Sequence, residues 1–233
     1  KKNSNINYVF NSYKTSVLNA IEASIERTDI IKQSWDRFTN IDFTTTNTRD
    51  VSPLIDAEFD QSGAWNNYLS QYGFYGPVGC VAVAMSQIMH YWKYPEQGEG
   101  SNTYIEDDLG ELTVDFYLAT YNFNSMQPTY ATSASQLLLF HTGVSVNMDY
   151  ENAGSGAHTD GAYPSSEDSF VRFFKYSDGI YNINRDNLGD TEFKNIIKEQ
   201  LENNKPVLYT GYEPGNDGHA WNVDGYQGNN LHC

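Results

Sequence analysis

Basic residues are scarce in this 233-residue chain: 14 Lys and Arg stand against 30 Asp and Glu, a formal net charge of −16 at pH 7. That balance argues against nucleic acid as a partner, because phosphates call for a basic face. It also argues against adsorption to anionic membranes. No run of the sequence approaches the roughly 18 apolar residues that a membrane span requires. Cysteine is rarer still. Two residues, Cys80 and Cys233, cannot build the framework of about four or more that staples small secreted domains. They leave room for one bridge or one reactive thiol. A signal peptide is missing too, since Asn-rich polar sequence follows Lys1 where an apolar stretch would stand; the chain can begin after such a segment was removed.

What is present fits a folded domain. Hydrophobic residues make up 39% and aromatic residues 15%, with 18 Tyr and 12 Phe, enough for a real core and for wide, half-buried sheet surfaces. The length suits one large domain, or one domain with a short extra segment. Residues 1–50 differ from the rest. Val17, Leu18, Ile21 and Ile25 recur at helical spacing, followed by Ile30, Ile31, Trp35 and Phe38, so residues 13–38 read as one or two helices. The Thr-rich stretch 42–48 reads as a linker or an extended crossing segment, and Val51-Ser52-Pro53 opens new sequence. Residues 60–79 read as a Gly/Asn/Tyr-rich loop. The stretch from Cys80 to Trp92 is the cleanest helix and should be buried on most sides. Short hairpin strands are expected within 98–128, turning at 107–110. A second helix spans 133–141, stopped by Gly143 as a C-terminal cap. Further helices are predicted over 165–174 and 191–203, then strands over 206–211, 218–226 and from Leu231. Helices precede strands, so the class is α+β.

Cys80 is the most informative position. A Gly-Pro-Val-Gly loop delivers it to the first turn of a buried helix, where unpaired N–H groups and the macrodipole favour a thiolate. Its own N–H could also help to bind an oxyanion. The bland reading is an ordinary buried cysteine. His219 is the second candidate: it follows a glycine loop and opens an apolar strand, a placement that suits a general base and acid for the cysteine. Of the others, His90 and His141 fall in helices, His158 in a loop and His232 on a strand. His232 with Cys233 lacks the paired spacing of structural zinc. Glu106-Asp107-Asp108 does not fit a calcium loop and reads as a solvated turn.

The segment from Gly79 and Cys80 through Met89, followed by Tyr91 and Tyr94-Pro95, closely resembles the nucleophile helix of the streptopain family, secreted bacterial cysteine peptidases of papain-like fold. The residues 218–225, Gly-His-Ala-Trp-Asn-Val-Asp-Gly, resemble that family's histidine strand, and 143–150 and 154–157 match in order between them. The similarity covers residues 51–233. It implies a papain-like fold with a helical subdomain carrying the nucleophile and an antiparallel sheet carrying the histidine. It implies Cys80 as nucleophile and His219 as proton acceptor, with Ser155 and Gly218 meeting the substrate backbone. Gln61 matches a Gln-Gly position, although Ser62 replaces the glycine, and it is a candidate oxyanion donor by papain analogy.

The activity implied is endopeptidase chemistry on protein or peptide substrates, with no metal or organic cofactor, in a secreted or cell-surface bacterial enzyme. Two rivals stand beside it: an amidase or transpeptidase on the same Cys–His pair, and a non-catalytic adhesin or binding module on the same scaffold. The resemblance further implies that residues 1–50 are the C-terminal part of a prosegment that blocks the cleft, with 51–233 the catalytic domain. A Cys–His pair needs a third group to orient the imidazole. Asn222 and Asp224 lie three and five residues along the strand, on the opposite face by period two. In the family, residues matching Leu231-His232-Cys233 run into Asn-Trp-Gly-Trp-Gly-Gly, so the orienting Asn is expected just beyond Cys233 and the catalytic domain is expected to be incomplete there.

Overall fold

The computed structural model describes residues 50–212 and 218–233. The helices expected over 13–38, the Thr-rich linker and most of the loop before His219 lie outside the described residues. Two α-helices form the centre of the larger core. Helix α1 (Cys80–Trp92) buries Val81, Ala82, Ala84, Met85, Ile88 and Met89. Helix α2 (Ser133–Ser145) begins with a reciprocal cap, in which the Thr132 side chain accepts from Ser135 N–H and the Ser135 hydroxyl answers to Thr132 N–H, satisfying donors that a helix start otherwise leaves open. The two helices pack on each other, and between them the Ser86 and Thr142 hydroxyls meet at 3.0 Å, so neither is buried alone.

Helix α2 outlasts its predicted end. Gly143 does not cap it; the helix runs on to Ser145 and reverses at Asn147, whose φ is 50°. Gly143 is inside because the hydroxyl of Tyr150 fills the space where a Cβ would stand. The loop reading of 60–79 is also corrected in part. Gly63–Tyr72 is a 3-10 helix that buries Trp65, Asn66 and Leu69; Asn66 and Leu69 stand three apart, the repeat at which 3-10 side chains eclipse. Tyr68 and Tyr72 stack on Phe140 of α2 at 4.7 and 5.6 Å.

Strands β1 (Ser101–Glu106) and β2 (Gly110–Asp115) form an antiparallel hairpin. The Glu106 carboxylate is buried and accepts N–H bonds from Asp108, Leu109 and Tyr150 at 2.8, 2.6 and 3.2 Å. The acidic turn is therefore organised by backbone donors around one carboxylate.

A second, smaller core lies under the other sheets. After the short helices α3 (Ser166–Arg172) and α4 (Arg185–Leu188), helix α5 (Asp190–Glu202) places Phe193, Ile197 and Leu201 at intervals of four. They pack with Val223 and Tyr226. Strand β3 (Val207–Tyr212) pairs antiparallel with β4 (Gly218–Val223), His219 opposite Gly211. Strand β5 (Gly225–Gln227) pairs with β6 (Asn230–His232), and Val51 bridges to Tyr226. Helix α1 packs against β4, so the α+β expectation holds, with antiparallel ladders only and the helix that starts at Cys80 lying on the strand that starts beside His219. Among the described residues no helix is long and apolar enough to cross a membrane.

Candidate active site

A cleft of about 720 Å³ opens between the start of α1, the extended segment 55–61 and β4. Cys80, His219 and Gln61 all line it. Three elements far apart in sequence thus bring together the three residues that sequence reasoning set aside for nucleophile, base and oxyanion donor.

Cys80 is a free, half-buried thiol at the first position of α1. Gly79 before it holds φ 98°, a left-handed value that favours glycine, and a Cβ there would also lie 2.6 Å from the Met148 sulfur. The first turn of α1 carries no acidic side chain, so nothing there opposes the positive end of the helix dipole. The loop is braced from behind. Ser155 is buried, its hydroxyl donating to the Pro77 carbonyl at 2.5 Å and accepting from Glu151 N–H at 3.3 Å. The structure therefore does not bring Ser155 to the cleft wall; its polar atom is spent on the loop that presents Cys80. Gly218 sits at the exposed end of β4 next to His219 and is likewise not among the lining residues.

The wall opposite is extended chain, with Ala57 and Phe59 buried and Asp56, Glu58 and Asp60 exposed in alternation. It ends at half-buried Gln61, whose carbonyl accepts from Val78 N–H at 2.8 Å, tying this wall to the loop two residues before Cys80.

His219 is exposed and its ring stacks on Trp221, two residues along the same strand face, at 5.8 Å and 29°. Trp221 in turn packs on Tyr209 of β3 at 5.0 Å. Among the described residues no hydrogen bond reaches the imidazole. Asn222 and Asp224 turn away, as period two requires. Asn222 donates to the Ala84 carbonyl and to Gln87 Oε1, both at 3.0 Å. Asp224 is buried, accepts from Ile55 N–H at 2.8 Å and meets His232 Nδ1 at 2.7 Å. This His232–Asp224 pair and Gln87 line the same cleft. Sequence reasoning missed Gln87; the signal was a polar amide within an otherwise apolar helix.

The remaining histidines are structural or peripheral. His141 is buried, its Nδ1 lies 3.0 Å from the Tyr121 hydroxyl, and burial pushes its pKa down to about 4. Burial also lowers His90, against the opposing pull of Asp56 at 3.6 Å. His158 is exposed.

A cysteine at a helix start and a histidine on a neighbouring antiparallel strand, facing one cleft, define the scaffold of the papain-like cysteine peptidases. Residues 59–233 match the Peptidase C10 family, and the chain belongs to that family, which includes streptopain. It is similar to interpain A, a cysteine protease of Prevotella intermedia whose active wild-type structure is 31% identical, superposes with a TM-score of 0.67 and covers 77% of this chain and 78% of that one. A prointerpain A fragment from the same organism is 30% identical with a TM-score of 0.66, over 78% of this chain and 60% of that one. The thiol protease/hemagglutinin PrtT of Porphyromonas gingivalis is 32% identical over 64% of this chain and 18% of its own length. Streptopain of Streptococcus pyogenes is 26% identical over 82% of this chain and 55% of its own. The chain thus spans about half or less of the length of the curated relatives it matches.

Proposed function

We propose that this protein is a cysteine endopeptidase of protein and peptide substrates, working through a Cys80–His219 acyl-enzyme. The observation that carries the reading is the single cleft lined by Cys80 at its helix start, His219 on β4 and Gln61 on the facing wall. The Cys80 thiol passes its proton to His219 as the sulfur attacks the scissile carbonyl carbon, and the carbonyl oxygen takes up the electron pair. The Cys80 N–H and the Gln61 side-chain amide hold that oxyanion. As the tetrahedral centre collapses, the C–N bond breaks and His219 gives its proton to the leaving amine. His219 then accepts a proton from water, whose oxygen attacks the thioester; the C–S bond breaks, His219 returns that proton to the sulfur, and the acid leaves with the Cys80 thiol restored. Gly218 bears no side chain because the Tyr212 ring fills the space where its Cβ would stand, and its backbone beside His219 is offered to an extended peptide. Ser155 serves the site from behind, through Pro77.

Residues 1–50 fit a prosegment, in line with the prointerpain relative, and the bacterial relatives support a secreted or cell-surface setting. The test is hydrolysis of casein and short peptides by wild type, Cys80→Ala and His219→Ala, with thiol alkylation followed by mass. Both variants should lose at least about a thousandfold in kcat/KM, in keeping with removal of a catalytic group. A thiol-directed epoxide should label Cys80 far faster than Cys233. Equal labelling of the two cysteines with no hydrolysis would instead mark a binding module on this scaffold.

A further inference from the structure

We propose that Gln87 is a positioning residue that holds the Gln61 wall in register with Cys80 and His219, acting through Asn222; the proposal rests on the peptidase reading above. Gln87 stands seven residues after Cys80, two turns along the same side of α1. Its Nε2 donates to the Ala57 carbonyl at 2.9 Å and, more weakly, to the Phe59 carbonyl at 3.4 Å. Its Oε1 accepts from Asn222 Nδ2 at 3.0 Å, and the other hydrogen of that amide goes to the Ala84 carbonyl at 3.0 Å. Ala84 lies one turn after Cys80, and Asn222 three residues after His219.

The direction of this chain of bonds is fixed by its ends. The Ala84 carbonyl is an acceptor only, so Asn222 must present its NH₂ group there. That same group then reaches Gln87, which must answer with oxygen, and this turns the Gln87 NH₂ towards the carbonyls of Ala57 and Phe59. Reversing either amide would set oxygen against oxygen. Among the described residues Gln87 alone bonds to both β4 and the wall 57–61.

The need for such a link is physical. Helix α1 and strand β4 are held to each other by the core, but 57–61 pairs with no strand. Its register relative to Cys80 depends on isolated bonds, those from Gln87, the Val78–Gln61 bond and a Glu58 N–H bond to the Pro128 carbonyl at 2.8 Å, beside the burial of Ala57 and Phe59. An oxyanion donor displaced by about 1 Å loses up to a hundredfold in rate, whereas ground-state substrate binding, spread over the whole cleft, changes little.

The experiment compares the wild-type chain, Gln87→Met and Gln87→Glu, with active sites titrated by irreversible alkylation. Met keeps the volume and removes every bond. Glu keeps the acceptor for Asn222 and loses the donor to the wall, so it remains informative if the Met variant fails to fold. Both variants should lower kcat per titrated site about tenfold with KM within twofold. Asn222→Ala should lower kcat as well, and Gln87→Met combined with Asn222→Ala should be no slower than Gln87→Met alone, because the two act through one link. A shift in melting temperature with kcat per titrated site unchanged would overturn the proposal, as would losses that multiply in the double variant. A wild type that cleaves no peptide refutes the peptidase reading instead. The link is then judged by the rate of Cys80 carbamidomethylation against pH, which should differ between wild type and Gln87→Met by threefold or more at some pH and which overturns the link if the profiles coincide.

Discussion

Acidification should unfold this protein partly through one buried imidazole. His141 is 7% exposed, ringed by Phe116, Tyr121 and Phe140 at centroid distances of 5.7 to 5.9 Å. Burial holds its pKa at about 4 in the folded protein, while the unfolded chain returns it to about 6.5. Below pH 6.5 the unfolded state therefore binds a proton that the folded state refuses, and stability falls as pH drops until both states are protonated near pH 4. At pH 5 the unfolded form is protonated about thirtyfold in excess of its neutral form and the folded form hardly at all, so the loss relative to pH 8 is about 2 kcal/mol. The full loss, below pH 4, approaches about 3.4 kcal/mol. Other groups titrate over the same range, which calls for a matched variant. His141→Leu with Tyr121→Phe removes the imidazole together with its hydroxyl partner and leaves no orphaned donor. In a Cys80→Ala background, which prevents self-digestion, urea unfolding at pH 8 and pH 5 gives the pH-dependent loss for each protein. Wild type should lose about 2 kcal/mol more than the double variant. Equal losses, within about 0.5 kcal/mol, would refute the assignment of a depressed pKa to His141.

Three further outcomes follow from particular contacts. Gly79→Ala should cost about 1–3 kcal/mol in stability and at least tenfold in kcat, because φ 98° and the Met148 sulfur both oppose a Cβ beside the nucleophile; urea midpoints and steady-state kinetics check it. Glu106→Ala should destabilise by about 3 kcal/mol, since it strips three backbone N–H groups of one charged acceptor, and the β1–β2 turn should then exchange its amide hydrogens faster. Limited self-digestion of the full chain should yield a stable, more active product beginning between residues 40 and 55; a product that keeps Trp35 with full activity would contradict the prosegment.

Legibility in the sequence tracked the range of the physics involved. Helix α1 was readable end to end because its determinants are local: a glycine loop, a run of small apolar residues, and Lys93-Tyr94-Pro95 after its end. Cys80 and His219 stood out for the same reason, each delivered by glycines to the start of an element. The 3-10 helix Gly63–Tyr72 escaped because its few buried residues lie among Gly63, Asn67 and Ser70, residue types that mark a loop. Gly143 was misread because glycine after an apolar run signals a cap, while the cause of its presence, Tyr150, arrives only on tertiary packing. Asn222 and Gln87 were hardest of all. Their roles require that β4 lie on α1 across 135 residues of sequence, and nothing in either neighbourhood announces that pairing.

Gly143 and Tyr150 have a consequence for the paths by which this sequence can change. Glycine inside a helix costs about 1 kcal/mol relative to alanine, so position 143 carries a standing gain that is blocked by one atom, the Tyr150 hydroxyl oxygen. That hydroxyl is itself buried with no hydrogen-bond partner among the described residues. Tyr150→Phe is therefore the permissive step, and Gly143→Ala after it needs only a few tenths of an ångström from the ring, whose nearest carbon would then stand 3.3 Å from the new Cβ. Taken in the reverse order, alanine first drives a methyl group into a tyrosine that has nowhere to go. The same two changes are a gain along one route and a barrier along the other. Lineages that have lost this hydroxyl should be the ones in which alanine occupies the helix.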